Sequence, residues 1–381
     1  MVIEVPSRGL TSVEQALVDH VGRGERLDLA PEDEAVDEAA MRSWSDSRTC
    51  RATVIREILR GRLAADPDPH GLRLRGARIA GRLDLEGLTT DVNLDLKDCY
   101  LEEGVLARNA HLTSVLLGGC QIEHPAEPPL DATRLNCSVL VLDGARVVGH
   151  AEDGAVSVLL SGAHIGGSLE CDGAKLRNDS GPALYADRLQ VDQSMFIRYG
   201  FTATGSSSYG VVYLVGAHIS GHLDCTGADL CNDSGPALAA YSLQVGQGMY
   251  LTREFTAVGG GEGAAVDLTD ARVGGKFLFA PARLEHKVDS HGRLEVDGLT
   301  YAGVPGKISA QGWAGSAAAR HPPLCGAAVS TASRRLPGTG RRPASPRDLD
   351  GTTRRSACSC WHRLGRAVVG LDHQGHPGLW L

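Results

Sequence analysis

A 54-residue period constrains this chain more than any other feature. Gly162-Ala163-His164-Ile165 recurs as Gly216-Ala217-His218-Ile219, and Leu169 and Cys171 recur as Leu223 and Cys225. Asn178-Asp179-Ser180-Gly181-Pro182-Ala183-Leu184 returns unchanged from Asn232 to Leu238. With 162–205 set against 216–259, 27 of 44 positions are identical, and a third, degraded copy opens at Asp270-Ala271-Arg272-Val273-Gly274-Gly275. Such self-similarity marks a repeat architecture, in which each unit buries its apolar side chains only against its neighbours.

Within a copy the spacing is that of strands. Ile165, Leu169 and Cys171 alternate with Gly, Ser and Glu, and Leu189 and Val191 flank Gln190. Period-two runs this short, broken by Gly, Asn-Asp and Gly-Pro, predict brief strands joined by turns. Helical repeats would need apolar residues three and four apart over ten or more positions, and these units lack that pattern. A 54-residue unit is too long for one coil but divides into two of about 24 and 30 residues, the scale of a solenoid repeat. Stacking at about 4.8 Å per coil would place Ile on Ile, Leu on Leu and Cys on Cys. The fold class is therefore all-β: a right-handed parallel β-solenoid (β-helix). Aromatics at 4% and 48 glycines suit its slim cross-section.

Three regions follow. Residues 1–66 lack the repeat; Thr11-Ser12-Val13-Glu14 reads as a capping box, with Val13, Leu17 and Val21 at helical spacing behind it. Asp28 to Glu38 is an acidic linker, and Val54, Ile55, Ile58 and Leu59 form a second helical face. This region is expected to be a helical cap over the open edge of the first coil. Residues 67–310 are the solenoid, starting at Leu72-x-Leu74-x-Gly76-Ala77-Arg78-Ile79, with roughly ten coils in a rod near 45 Å long. Residues 311–381 abandon the repeat and turn rich in Arg, Pro, Ser, Gly and Cys, the composition of a disordered tail.

At Gly76-Ala77-Arg78-Ile79-Ala80-Gly81-Arg82-Leu83-Asp84-Leu85, at Val296-Asp297-Gly298-Leu299-Thr300-Tyr301 and at Arg51-Ala52-x-Val54-Ile55-Arg56, the sequence resembles a known family. These are actinobacterial β-solenoid proteins with pentapeptide-like repeats that carry the label "membrane-associated oxidoreductase". The resemblance covers about residues 5–313. It implies a repeat rod, a helical C-terminal segment and, in intact members, membrane helices beyond it. The redox label brings no catalytic residue to any position of this chain.

Charge and cysteine usage narrow the setting. Residues 1–310 hold 28 Lys+Arg against 43 Asp+Glu, a net −15, whereas 311–381 hold 10 against 3, a net +7. No secretory signal opens the chain and no apolar run reaches the roughly 18 residues that span a bilayer, so the expected compartment is the cytoplasm. Ten cysteines without a Cys-x-x-Cys pair, with Cys171 and Cys225 at equivalent ladder positions, read as buried reduced thiols.

Each chemically suggestive motif has a plainer account. Gly259-Gly260-Gly261-Glu262-Gly263-Ala264 matches a dinucleotide fingerprint, but Val266, Leu268 and Val273 follow at strand spacing where a helix is required. His164 and His218, with His222 near, could stack to bind a metal; a solvated outer face is simpler, because Arg78, Arg146 and Arg272 fill the equivalent slot elsewhere. Asp84, Glu170 and Asp224 follow the core Leu and could pair as acid and base, as in glycan-cleaving β-helices, but alternation makes them outward polar positions. Asn-Asp-Ser-Gly-Pro is a turn. No catalytic, cofactor-binding or metal-binding residue is assigned. The expected function is a scaffold or protein-binding module with a protein partner and no direct nucleic-acid binding. The alternatives are an oxidoreductase, as the family label implies, and an acidic rod mimicking nucleic acid. Membrane attachment is expected only of intact family members, and self-association through an uncapped C-terminal coil near Phe277-Leu278-Phe279 follows from an open edge.

The tail has a codon-level reading. Leu324 to Ser333 can be encoded so that one base later it reads YAAQPYQQL, and Val368 to Leu381 so that it reads WWGWITKVTLGYG. Both resemble the family's C-terminal helical segment and its approach to the membrane, which makes 311–381 an out-of-frame tail. Sequencing the locus is expected to show a single-base shift near codon 314 relative to its close relatives; an undisturbed frame in relatives encoding this same Arg- and Pro-rich tail would refute it.

Overall fold

The computed structural model describes residues 9–30, 38–149, 156–288 and 291–302, and the backbone of Val368–Leu371 and Pro377–Trp380. The chain winds as a parallel β-solenoid with three walls, of 17, 10 and 9 strands, here called walls A, B and C. One coil runs through wall A as His164–Ile165 and Leu169–Glu170, through wall B as Lys175–Asn178 and through wall C as Leu184–Tyr185 before re-entering wall A at Gln190–Val191. Every wall pairing is parallel, each strand bonded to the strand one coil away. Wall C counts nine turns, and Thr300–Tyr301 begins a tenth on wall A, slightly fewer complete turns than the sequence spacing suggests.

The corners explain the recurring Gly-Ala. Between walls C and A each coil places one residue at positive φ: Gly162 (+61°), Arg188 (+50°), Gly216 (+62°), Ser242 (+57°) and Asp270 (+54°) in succession. Its N–H bonds to a carbonyl of the next coil: Gly162 to Asp187 at 2.9 Å, Arg188 to Val215 at 3.0 Å, Ser242 to Thr269 at 2.8 Å. Glycine adopts this conformation without Cβ strain, and Asp or Ser tolerates it at modest cost. The corner between walls A and B uses the same device at Gly76, Asp98, Gly144 and Gly173. Gly76-Ala77-Arg78 and Gly162-Ala163-His164 therefore look alike in sequence but open different walls, Arg78 and Arg146 on B, His164 and Arg272 on A.

The repeat period is a pair of nearly equal coils, read from the register Leu169↔Met195↔Leu223, rather than the unequal pair that the sequence spacing suggests. Within the repeated coils, the interior positions alternate residue types from coil to coil. Wall A alternates Ile165, Val191, Ile219 and Val245, and wall B alternates Leu176, Ala203, Leu230, Ala257 and Leu284. Just past the C-to-A corner, Ala163, Leu189, Ala217 and Leu243 alternate in the opposite phase, all fully buried. A coil that puts Leu into wall B thus puts Ala at its corner, and the next reverses this, with Phe201 or Phe255 filling the space beside its Ala. Cross-sections of equal volume are filled by two complementary sets of side chains, which a close-packed interior requires.

A polar alternation accompanies the apolar one. At the end of wall B, Gly149, Asn178, Gly205 and Asn232 stack in register, and Gly259 pairs onward to His286. Asn232 is fully buried; its Nδ2 donates to the carbonyls of Ser207 and Pro236, both at 2.7 Å, and its Oδ1 accepts the Ser207 N–H at 2.9 Å. The Asn-Asp-Ser-Gly-Pro segment is the turn expected, with its first Asn aimed inward to satisfy the loop. Glycine on either side makes the room: a Cβ at Gly205 would meet the Gly181 carbonyl oxygen at 2.7 Å.

The N-terminal cap closes the first coil on all three walls. Helix α1 (Ser12–Arg23) carries the expected capping box, Thr11 accepting the Glu14 N–H at 3.2 Å and Glu14 accepting the Thr11 N–H at 2.9 Å. Leu27–Asp28 pairs with Leu74–Arg75 at the edge of wall A, and Thr49–Arg51 pairs with Arg78–Ala80 at the edge of wall B. Helix α2 (Glu38–Arg42) follows the linker, of which 31–37 lie outside the described residues. Helix α3 (Ala52–Leu59) packs on the first strand of wall C, Leu83–Asp84. The buried Glu14 clasps Arg51 at 2.5–2.6 Å and joins α1 to the start of α3. Burial alone would raise its carboxyl pKa, but the hydrogen bonds from Arg51 and Thr11 outweigh that and hold it below the usual range.

At the far end, among the described residues, Arg283–His286 of wall B and Leu294–Glu295 of wall C are paired on one side only. Val368–Leu371 and Pro377–Trp380 form an antiparallel pair, a departure from the disordered tail expected over 311–381; the rest of 311–381 lies outside the described residues. Among the described residues no helix is long and apolar enough to cross a membrane.

Two substitutions probe this packing. Leu223→Asp, which places a charge in the dry ladder, is expected to destabilise by several kcal/mol. Gly205→Ala, ordinarily mild, is expected to cost about 1–3 kcal/mol because its methyl meets backbone. Urea unfolding checks both, and a silent Gly205→Ala would mean that the Asn and Gly alternation is not steric.

Candidate functional site

The carboxylates that follow the core leucines do not converge. Asp84 lies on wall C, while Glu170 and Asp224 lie on wall A two coils apart with Phe196 paired between them. What assembles there is an arginine site. Arg198 stacks over Phe196 at 4.1 Å and Tyr199 at 4.7 Å, and grips Asp172 through two bonds of 2.7 and 3.0 Å. It also reaches Asp224 at 3.5 Å, whose carboxylate accepts both the N–H and the hydroxyl of Thr226. Asp143 joins by accepting the Asp172 N–H at 2.8 Å. Bidentate pairing and ring stacking suit a guanidinium in particular.

This network leaves Glu170 strained electrostatically. Burial raises its carboxyl pKa first, and the negative charges of Asp143 and Asp172 add to that, with Arg198 opposing. Asp143 is raised as well, mainly by burial. A raised carboxyl beside ionised partners is the arrangement of an acid and base pair. Here, however, Arg198 already occupies Asp172.

The histidines are likewise separate. Gln190 lies between His164 and His218 in the register, so the imidazoles do not stack. His164 Nε2 sits 3.0 Å from Asp192, and His222 Nδ1 accepts the Gly248 N–H at 2.9 Å. Among the described residues no group of three or more His, Cys, Asp or Glu is placed to hold a metal. Gly259–Ala264 runs between strands Thr256–Gly259 and Val266–Asp267, with Gly261 at φ +65° and Gly263 at +86°, so it is a turn between walls B and C of one coil, with no helix to receive a pyrophosphate. Cys171 and Cys225 are buried free thiols, and burial pushes the Cys137 thiol up to about 12. A groove of about 440 Å³ near the cap, lined by Arg73, Asn93, Asp95, Ser114, Leu116 and Val139, is spanned by ion pairs from Asp95 to Arg26 at 2.6 Å and Arg73 at 3.9 Å.

The feature missed in the sequence lies on wall C. Tyr185 and Tyr213 pair in register and stack with ring centroids 4.4 Å apart and planes within 3°. Tyr209, from the loop between walls B and C, and Tyr241, from the corner one coil on, each meet the Tyr213 ring edge-on, at 6.4 and 6.2 Å. The Tyr213 and Tyr241 hydroxyls bond at 3.0 Å. Burial, followed by Tyr241, raises the Tyr213 phenol pKa. Tyr209 stays 65% exposed and Tyr241 38%, so the cluster shows its rim to solvent. The signal was available, since Tyr185, Tyr213 and Tyr241 recur at one fixed interval, the length of the longer coil.

No family model, curated protein or solved structure matches this chain.

Glu170 gives a pH test. Its folded pKa is raised, so between the ordinary glutamate value of about 4.3 and that higher value the folded chain holds more protons than the unfolded one. Stability from this group therefore falls as pH rises through that window. Glu170→Gln should stabilise the protein at pH 7 and lose that advantage below about pH 4. Equal melting temperatures at pH 7 would show that Glu170 is not strained.

Proposed function

We propose that this chain is a non-catalytic β-solenoid scaffold that binds a protein partner through a wall. The observation that carries this reading is the tyrosine cluster. Four of the chain's eight tyrosines gather on three successive coils of one wall, in a sequence that is only 4% aromatic. Tyrosines presenting a rigid apolar body and a polar tip are the side chains that protein interfaces favour. The regular wall supports them: neighbouring coils hold the rings in place, so little order remains to be lost on binding.

An oxidoreductase working through a nicotinamide or flavin would need a site for it, and the one stretch that matches a dinucleotide fingerprint is a turn between strands. The purified protein is accordingly expected to be colourless, with a melting temperature unmoved by millimolar NADH, NADPH, FMN or FAD. A flavin absorption band, or stabilisation by any of these that rises with its concentration as binding linkage demands, would overturn the scaffold reading.

A further inference from the structure

Wall A shows what this chain uses to hold a guanidinium: two aromatic rings, Phe196 and Tyr199, with Asp172 as the anion. Wall C carries the rings and the carboxylates of that arrangement without the arginine. Arg188, at the corner after Tyr185, has a side chain 82% exposed and paired with Asp187 at 3.2 Å. From the Tyr213 coil onward, the outward positions of wall C and its corner hold Asp267, Asp270 and Asp297; the basic side chains next to this stretch are Arg293, just before Leu294–Glu295, and Arg272, which opens the following strand of wall A. Hydrophobic surface accompanies the rings, since Leu159 and Val215 lie half-buried in the adjoining outward positions.

We infer that the tyrosine cluster and the carboxylates above it form a docking surface for an arginine-bearing segment of a partner protein, its guanidinium groups stacking on the exposed rings of Tyr209 and Tyr241. This rests on the binding-module reading and specifies its partner. The chemistry favours arginine over lysine: a guanidinium is planar, stacks on aromatic rings and sheds its hydration more easily than an ammonium. Carboxylates one or two coils along the wall lie roughly 5–10 Å away at the usual strand spacing, within a Debye length at physiological salt, so they attract the cation without burying their own charge.

The test uses the full chain and a short fluorescein-labelled peptide of three Arg-Leu units separated by glycines, with Lys-Leu and citrulline-Leu versions, read by fluorescence anisotropy. The arginine peptide should bind, the lysine peptide several-fold more weakly, and the citrulline peptide not measurably. The Tyr209→Ala/Tyr241→Ala double variant should lose about tenfold or more, as expected for aromatic anchors, while Tyr199→Ala, on another face, should bind as the parent does. Asp267→Asn/Asp270→Asn should weaken binding and flatten its salt dependence. Absence of arginine-peptide binding, equal binding by the citrulline peptide, or undiminished binding by a folded Tyr209→Ala/Tyr241→Ala variant would overturn the assignment. So would concentration-dependent dimerisation that this double variant abolishes, since the occupant would then be a second copy. A chain that ignores the peptide and also takes no cofactor loses only this surface; one stabilised by NAD(P)H or flavin loses the scaffold reading itself.

Discussion

One backbone hydrogen bond, repeated at the corners on either side of wall A, recurs along the whole rod. A residue at positive φ turns the chain from one wall to the next, and its N–H reaches the carbonyl of the coil above. Because the turn and the axial bond belong to the same residue, each of these corners sets both the cross-section and the stacking. Backbone groups at so tight a bend would otherwise be buried without partners, at a cost of about 1–3 kcal/mol each. The first coil needs the same satisfaction with no coil beneath it. The cap supplies it with Leu27–Asp28 on wall A and Thr49–Arg51 on wall B, held to α1 through Glu14 and Arg51.

Once the axial bonds are in place, the side chains have only the interior of a narrow tube to fill. Leu in wall B pairs with Ala at the corner in one coil, and Ala with Leu in the next. The same two-step rhythm admits a buried Asn only where Gly flanks it. The outside is under no such discipline. Arg198 collects Asp172, Phe196 and Tyr199 on wall A, and four tyrosines collect on wall C, on coils that are nearly interchangeable inside.

Much of this was legible in the residues. Alternation placed Leu169 and Leu223 inside, Thr11-x-x-Glu14 marked the start of α1, and the strand spacing after Gly263 identified a turn. Other features were hidden by the length of the repeat. The conspicuous identity lies two coils apart, whereas physical neighbours lie one coil apart, so Leu169 and Leu223 look stacked although Met195 separates them. The two kinds of corner share a Gly-Ala opening, which hid that Asp84 and Glu170 belong to different walls. Tyr209 joins the cluster from a loop, outside any strand alternation, and only the fold brings it to Tyr213.

The alternation of Asn and Gly along wall B also limits how this molecule can change length. Remove one coil, and two asparagines that now alternate with glycine become direct neighbours, each deprived of the empty space its amide occupies. Remove or add two, and the alternation is restored. Growth by tandem duplication is therefore quantised in pairs of coils, and the near-identity of 162–205 and 216–259 is what one such step leaves behind. A shorter or longer rod that respects this parity would keep its interior and could still present a different outer face.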